Sequence, residues 1–338
     1  MAELNLTDNI IELNRDMEPY VIQGAASRPK PFKDAYLPLQ FVHFSDVHEK
    51  LDLWNRIVEY INHYEKYIAF ALHSGDYCGA SQLNFKDCYG LGDKCVKPIY
   101  NCVGNHDTEE NSDWSKGMPK QATKQSVWEK LFYDQTGWDA TFMEGEWSMT
   151  YYKDFPESGI RLVVLDLYYD IEQQKEWLRE VLADAKEKGL HVITSMHEPS
   201  DHICNSPDTA FHTPNFDAYT ALCGKDKKMP FEDILVEFIS NGGIHVCNFV
   251  GHWHHDRFGY TAGGVLNCAV ECATSWNGWC DGVRVKGTRT FDCFNVVSVD
   301  VNVGILKLAR IGDNVDHYLQ RKTSLCFDYI NKKLVYSN

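Results

Sequence analysis

The 338-residue sequence has no apolar run approaching the roughly 18 residues that would span a membrane. Its opening stretch, MAELNLTDNIIELNRDMEPY, is acidic and lacks the apolar segment of a signal peptide. No long Lys/Arg run is present, and the formal net charge is −15. Binding a nucleic-acid backbone needs a basic face that displaces counterions, so the composition counts against nucleic acid as a partner. No Cys-x-x-Cys pair occurs among the 12 cysteines, which counts against a zinc ribbon. The chain is also too long to be a small disulfide scaffold. Cys102, Cys247 and Cys268 sit in apolar runs, where a free thiol packs as a small hydrophobe. Internal repeats and low-complexity tracts are missing too. These absences predict a cytoplasmic protein with no membrane span.

What is present is an ordinary globular composition that is rich in aromatics, at 13%, enough for heavy packing or an aromatic-lined pocket. Residues 1–38, with Pro29, Pro31 and Pro38 near the end, read as a lead-in segment. Short apolar runs at Gln40–Ser45, Tyr67–Leu72, Val96–Val103, Ile160–Asp166, His191–Met196 and Ile244–Val250 have the length and composition of buried strands. A further strand is expected over Trp147–Tyr152, and others over Val265–Ala273, Thr290–Val301 and Ile305–Ile311. Helical spacing appears at Trp54, Ile57, Val58 and Ile61. It recurs at Trp177, Leu178, Val181, Leu182 and Ala185, where Gly189 is the expected C-terminal cap. Strands alternating with helices indicate an α/β protein. A main domain over residues 39–312 is expected, with a tail over residues 313–338 that packs on it or extends it. Residues 200–229 read as a long loop, a length that is uncommon unless it is functional.

Five of the predicted strands end in polar motifs. These are Asp46-Val47-His48, Gly75-Asp76, Gly104-Asn105-His106-Asp107, His197 and Gly251-His252-Trp253-His254. Sites in α/β sheets form beyond the carboxyl ends of strands, so motifs far apart in sequence can converge there. Each motif alone is weak, because short triplets arise by chance and a lone histidine is more often a core residue. Their joint placement at strand ends is what carries weight. Together they offer Asp46, His48, Asp76, Asn105, His197, His252 and His254. That is too many groups for one tetrahedral ion and about right for two ions that share a carboxylate. The nitrogen and carboxylate mix suits manganese, iron or zinc. On an extended segment, residues at i and i+2 point the same way, so Asp46 with His48, and His252 with His254, are expected to act as pairs. Two such ions polarise a phosphoryl oxygen and support in-line displacement. His106 is then the candidate to meet the leaving oxygen, with Asp107 expected to orient it and keep it protonated.

The ordered set D-x-H, G-D, G-N-H-D, H and G-H-x-H resembles the signature of the calcineurin-like metallophosphoesterases, with none of the five blocks degenerate. The resemblance spans residues 40–255 and, through the closing strands, about residue 312. It implies a four-layer α/β sandwich with two central mixed sheets flanked by helices. It implies that Asp46, His48, Asp76 and His254 hold one divalent or trivalent transition-metal ion, and that Asp76, Asn105, His197 and His252 hold the other. Asp76 would bridge, and His106 would assist the leaving group or orient the phosphate. The expected activity is hydrolysis of a small-molecule phosphoester by a hydroxide held between the metals, as a phosphodiesterase or a phosphatase. A nuclease on the same site and a non-catalytic module of the same fold are the rivals. The acidic charge counts against the first, and the full ligand set against the second.

Other residues carry weaker expectations. Tyr77, His202, Trp253 and Trp276 are candidates to line a substrate pocket, as is Trp279. Trp253, between two ligands, could equally be core. His43 is expected to be a buried structural histidine, and His73 to lie in the core or behind a ligand. His255 and Asp256 are expected at the rim. Cys268, Cys272, Cys280 and Cys293 match no zinc spacing and are expected to be core or loop thiols.

Overall fold

The computed structural model describes residues 35–48, 50–77, 93–110, 120–133, 137–201, 203–205, 229–254, 256–273, 285, 291–312 and 324–337. Its strands begin with β1 (Leu39–Phe44), β2 (Phe70–His73), β3 (Ile99–Asn101), β4 (Glu109–Glu110), β5 (Lys120–Gln121) and β6 (Thr141–Phe142). They continue with β7 (Tyr151–Phe155), β8 (Ile160–Val164), β9 (His191–Ser195), β10 (Ile203–Asn205), β11 (His245–Val250) and β12 (Arg257–Thr261). The last are β13 (Leu266–Ala269), β14 (Cys293–Asp300), β15 (Ile305–Gly312), β16 (Ser324–Asp328) and β17 (Lys333–Ser337). The helices are α1 (Leu51–His63), α2 (Lys124–Leu131), α3 (Ile171–Glu187) and α4 (Glu232–Ser240).

Two large mixed sheets form the centre. One is seven-stranded in the order β17-β16-β15-β14-β1-β2-β3, and the other is eight-stranded in the order β10-β12-β13-β11-β9-β8-β7-β6. Strands β1, β2 and β3 run parallel, and so do β8, β9, β11 and β13. Both faces of such strands are covered, which is why they read as continuous apolar runs rather than alternating ones. β1 shows how the two faces divide. Phe41 stacks on Phe70 and meets Phe249 of the other sheet edge-on at 5.3 Å. Phe44 turns the other way and stacks on Trp54 of α1 at 5.1 Å. A second core lies where α3 and α4 pack on the eight-stranded sheet, with Leu178, Leu182, Leu235 and Phe238 against Val163, Val192 and Val250.

The expected α/β sandwich is the observed architecture, with shifted boundaries. The strand expected from Tyr67 starts at Phe70, because residues 64–67 are turns that end α1. The strand expected over Trp147–Tyr152 is instead Tyr151–Phe155. Pro156–Ser158 forms a short 3₁₀ turn closed by left-handed Gly159. Gly189, at φ +68°, lies just beyond the C-terminal end of α3. In the stretch expected to be a long loop, Ile203–Asn205 forms an edge strand. β16 and β17 extend the seven-stranded sheet past β15. Cys268, Cys272 and Cys293 are buried. Among the described residues, no helix is long and apolar enough to cross a membrane.

Candidate metal centre

The seven expected ligands converge where the carboxyl ends of β1, β2 and β3 meet those of β9 and β11. The seam between the sheets is stitched by polar contacts. Ser74 Oγ and Cys102 Sγ of one sheet lie 3.2 and 3.1 Å from Ser195 Oγ of the other. Within each sheet the ligand loops are tied to one another, the Asp46 N–H donating to Gly75 O and the Gly251 N–H to His197 O.

Asp46, His48, Asp76 and His254 place one ligand atom each within 4.8 Å of one another, and Asp76, His197 and His252 do the same. In the first set His48 Nε2 lies 3.0 Å from His254 Nε2, and Asp46 Oδ1 lies 3.2 Å from His254 Nε2. In the second, Asn105 Oδ1 lies 2.9 Å from His252 Nδ1 and 3.1 Å from His197 Nε2. Asp76 Oδ2 lies 3.2 Å from His197 Nε2 and 4.0 Å from His48 Nε2, so one carboxylate belongs to both sets. Its other oxygen, Oδ1, accepts the His106 N–H at 2.9 Å. Asp46 divides its work the same way, since Oδ2 accepts the His252 N–H at 3.0 Å. His197 donates from Nδ1 to Ser74 O at 2.6 Å, which turns Nε2 toward the centre.

These loops are strained. Asp46, His48, Asp76, His252 and His254 all have φ between +46° and +65°. Each such residue costs about 1–3 kcal/mol and persists where the surroundings over-determine it. This corrects the expectation that the Asp46/His48 and His252/His254 pairs sit on extended segments. Both members of each pair reach the centre from left-handed backbone. Two glycines permit the close approach. A Cβ on Gly104 would lie 2.1 Å from Asp76 Oδ1, and one on Gly251 would lie 1.7 Å from Ser45 Oγ.

Electrostatics fit a cation. Burial alone would pull the His197 imidazole down, but the Asp76 charge and hydrogen bond outweigh it and raise it to about 10. Asp76 itself is fully buried, which opposes ionisation. His197 and His106 nonetheless hold it well below the usual carboxylate range. His48 and His252 are lowered to about 4, chiefly by burial. A pocket that draws a proton onto His197 also draws a metal ion, and the His48 and His254 Nε2 atoms, 3.0 Å apart, converge on one point of it.

The residues around the ligands differ from expectation at the support of His106 and at Asp256. Asp107 is buried, and its Oδ2 accepts the N–H groups of Asp76 and Gly104 at 2.9 and 2.8 Å. The carboxylate that orients His106 is instead Glu109, whose Oε2 accepts from His106 Nδ1 at 3.1 Å. Glu109 sits one turn beyond His106 and is fixed by the β4–β5 ribbon. Burial opposes protonation of His106, but the Asp76 charge and then Glu109 raise it to about 9. Tyr77 is buried against His73 and Trp54. Trp253, 4% exposed, packs in the outer core under α4, because that face of β11 is covered too. Asp256 is 4% exposed, not at the rim, and pairs with Arg310. His43 and His73 are fully buried as expected. His202, His255, Trp276 and Trp279 lie outside the described residues. Tyr168, whose hydroxyl lies 3.5 Å from Glu198 Oε1 beside ligand His197, had no signal in the sequence.

The calcineurin-like phosphoesterase family model matches residues 39–256. The chain belongs to that family. It is therefore a hydrolase acting on phosphoester bonds. Its fold is similar to a dimetal phosphatase from Danio rerio, with a TM-score of 0.57 and 14% identity over 88% of this chain and 100% of that one. It is also similar to a purple acid phosphatase from yellow lupin (Lupinus luteus) seeds, with a TM-score of 0.51 and 13% identity. That match covers 91% of this chain and 54% of the lupin chain. No curated protein sequence matches the chain significantly.

Proposed function

We propose that this calcineurin-like phosphoesterase hydrolyses a small-molecule phosphoester, a diester or a monoester, at a centre of two transition-metal ions. One observation carries the reading: two ligand sets, buried except for half-buried His252, share the single carboxylate of Asp76. Asp46, His48, Asp76 and His254 would hold one ion, and Asp76, Asn105, His197 and His252 the other. The mixed nitrogen and oxygen donors fit manganese, iron or zinc. When bound, such a pair supplies Lewis acidity at phosphorus and a nucleophile at neutral pH.

The chain's own groups do the rest. Glu109 ties down His106 Nδ1 and turns Nε2 toward the cleft, where the ring stands edge-on to His48 at 5.1 Å. From there His106 can hold a proton against the leaving oxygen or steer the phosphate. Asp107 fixes the Gly104 and Asp76 backbone, and through them the bridging carboxylate. The free thiols of Cys95, Cys102, Cys247 and Cys268 support a reducing, cytoplasmic setting.

The test is hydrolysis of a chromogenic phosphodiester and its matching monoester with added manganese, using Asp76→Asn and His106→Ala as controls. Turnover of either ester that is lost in Asp76→Asn is the expected result, and the faster ester names the class. Undiminished turnover in Asp76→Asn would sink the two-metal reading.

A further inference from the structure

A buried positive charge lies directly behind the ligand loops. Arg310 on β15 is opposite Asn295 on β14, and Asn295 is opposite His43 on β1. Cross-strand partners share a face of a sheet, so this row faces the eight-stranded sheet, as the contact of His43 with Phe249 shows. Arg310 is 9% exposed. Its Nε donates to Asn295 Oδ1 at 2.9 Å, and Nη2 donates to Asp256 Oδ1. Nη1 lies 2.8 Å from Cys293 Sγ and 3.8 Å from Glu271 Oε2. Asp256 Oδ1 also accepts the Glu271 N–H at 2.8 Å. Two residues on, the Ala273 N–H donates to Ser45 O at 2.8 Å.

The connections lead to two ligands. Asp256 follows His254 by two residues, and Ser45 immediately precedes Asp46. A guanidinium stays charged at any accessible pH, and its rigid fork fixes direction as well as distance. A buried charge of this kind holds its partners in place, because moving them would leave it uncompensated. His197 and Asn105 of the second set are held by other groups, while the His252 N–H rests on Asp46 Oδ2. Ser74 O takes His197 Nδ1, and Asp107 takes the Gly104 N–H, one residue before Asn105. The family match ends at residue 256, so Arg310 lies outside it.

We infer that Arg310 is a positioning residue for the first metal site, holding His254 through Asp256 and Asp46 through the 271–273 stretch. The inference rests on the dinuclear centre proposed above. Loss of the guanidinium weakens the ion held by Asp46, His48, Asp76 and His254. The ion held by Asn105, His197 and His252 is largely spared.

The experiment strips wild-type, R310M, R310K and D256N proteins with a chelator and titrates each with Mn²⁺ by calorimetry. His254→Ala identifies the binding step that belongs to the first site. Wild-type protein is expected to bind two ions per chain. In R310M and D256N the step that H254A removes should weaken by about tenfold to a hundredfold, the range for supporting partners of metal ligands. The other step should change by less than about threefold. R310K, which keeps the charge without the fork, should fall in between. Should R310M fail to fold, R310K and D256N decide the outcome. Two unchanged steps in the variants, with only a lower Tm, would make Arg310 purely structural and overturn the inference. Equal weakening of both steps would overturn it as well. Wild-type protein that binds fewer than two ions would instead overturn the dinuclear centre, and the inference with it.

Discussion

Gly104 shows how tightly single residues are constrained here. Its missing Cβ leaves room for the Asp76 carboxylate, which a methyl group would meet at 2.1 Å. Gly104→Ala should therefore displace the bridging ligand, with loss of metal stoichiometry and a fall in kcat of about a hundredfold or more. Metal analysis beside the assay checks both. Glu109→Gln is a gentler change, since the amide keeps the shape and removes the charge beside His106 Nδ1. Metal content should be unchanged and kcat should drop about tenfold, with KM nearly constant. An unchanged kcat would mean that Glu109 does not orient the ring. The ligands were legible in the sequence because metal chemistry restricts them to a few residue types, each set directly after an apolar run. The support of His106 was not. Asp107 is adjacent in sequence, yet a 3₁₀ turn at 106–108 carries its carboxylate to the Gly104 and Asp76 backbone. Glu109 takes the place beside the ring.

The strands and helices were legible as a type and less so at their limits. β1 and β11 are buried end to end, so their apolar runs stand out. That same burial hid the direction of Trp253, because a strand covered on both faces gives no alternation to read. Arg310 was invisible for a related reason. Its role depends on the register of β15 with β14 and of β14 with β1, which no local pattern encodes. Buried strand histidines give this level its own prediction. His245 opens β11 beside Thr194 Oγ1 at 3.0 Å, and burial lowers it to about 3 from an ordinary value near 6.5. It is neutral when folded and protonates when unfolded, so the unfolded state binds the extra proton between about pH 6.5 and pH 3. Stability is full above pH 6.5 and falls as pH drops through that window. Denaturant midpoints measured from pH 7 to pH 4 should decline, and His245→Gln should reduce the slope by about one proton. An unaltered slope in that variant would exclude His245 as a source.

For the molecule as a whole, the two sheets meet at a cluster of buried carboxylates and imidazoles. Asp46 and Asp76 are fully buried; desolvation opposes their ionisation, the Asp76 charge adds to that at Asp46, and neighbouring histidines hold both below the usual carboxylate range. Metal that binds only the folded chain adds about 2.7 kcal/mol at a free concentration one hundred times Kd. A chelator should therefore lower Tm by several degrees, and added Mn²⁺ should restore it. Asp76→Asn should blunt both responses, and a Tm indifferent to chelator in the wild type would contradict the prediction. The α/β class was foreseen from the alternation of strands and helices, and the paired sheets from the family resemblance. The tail after residue 312 was expected to pack on the domain or extend it, and its place beside β15 was left open because that run carries no motif that fixes its neighbour.

His48 and His254, 3.0 Å apart in space, are separated by 206 positions along the chain. During synthesis, β1 to β3 emerge long before β11, so Asp46, His48, Asp76 and Asn105 leave the ribosome without His252 or His254. Only a half-built cradle exists until β11 has docked beside β9. In the proposed two-metal centre, capture of both ions would thus be a late event that reports completed assembly, and a chain truncated before residue 245 would carry no working centre however well its first sheet had formed.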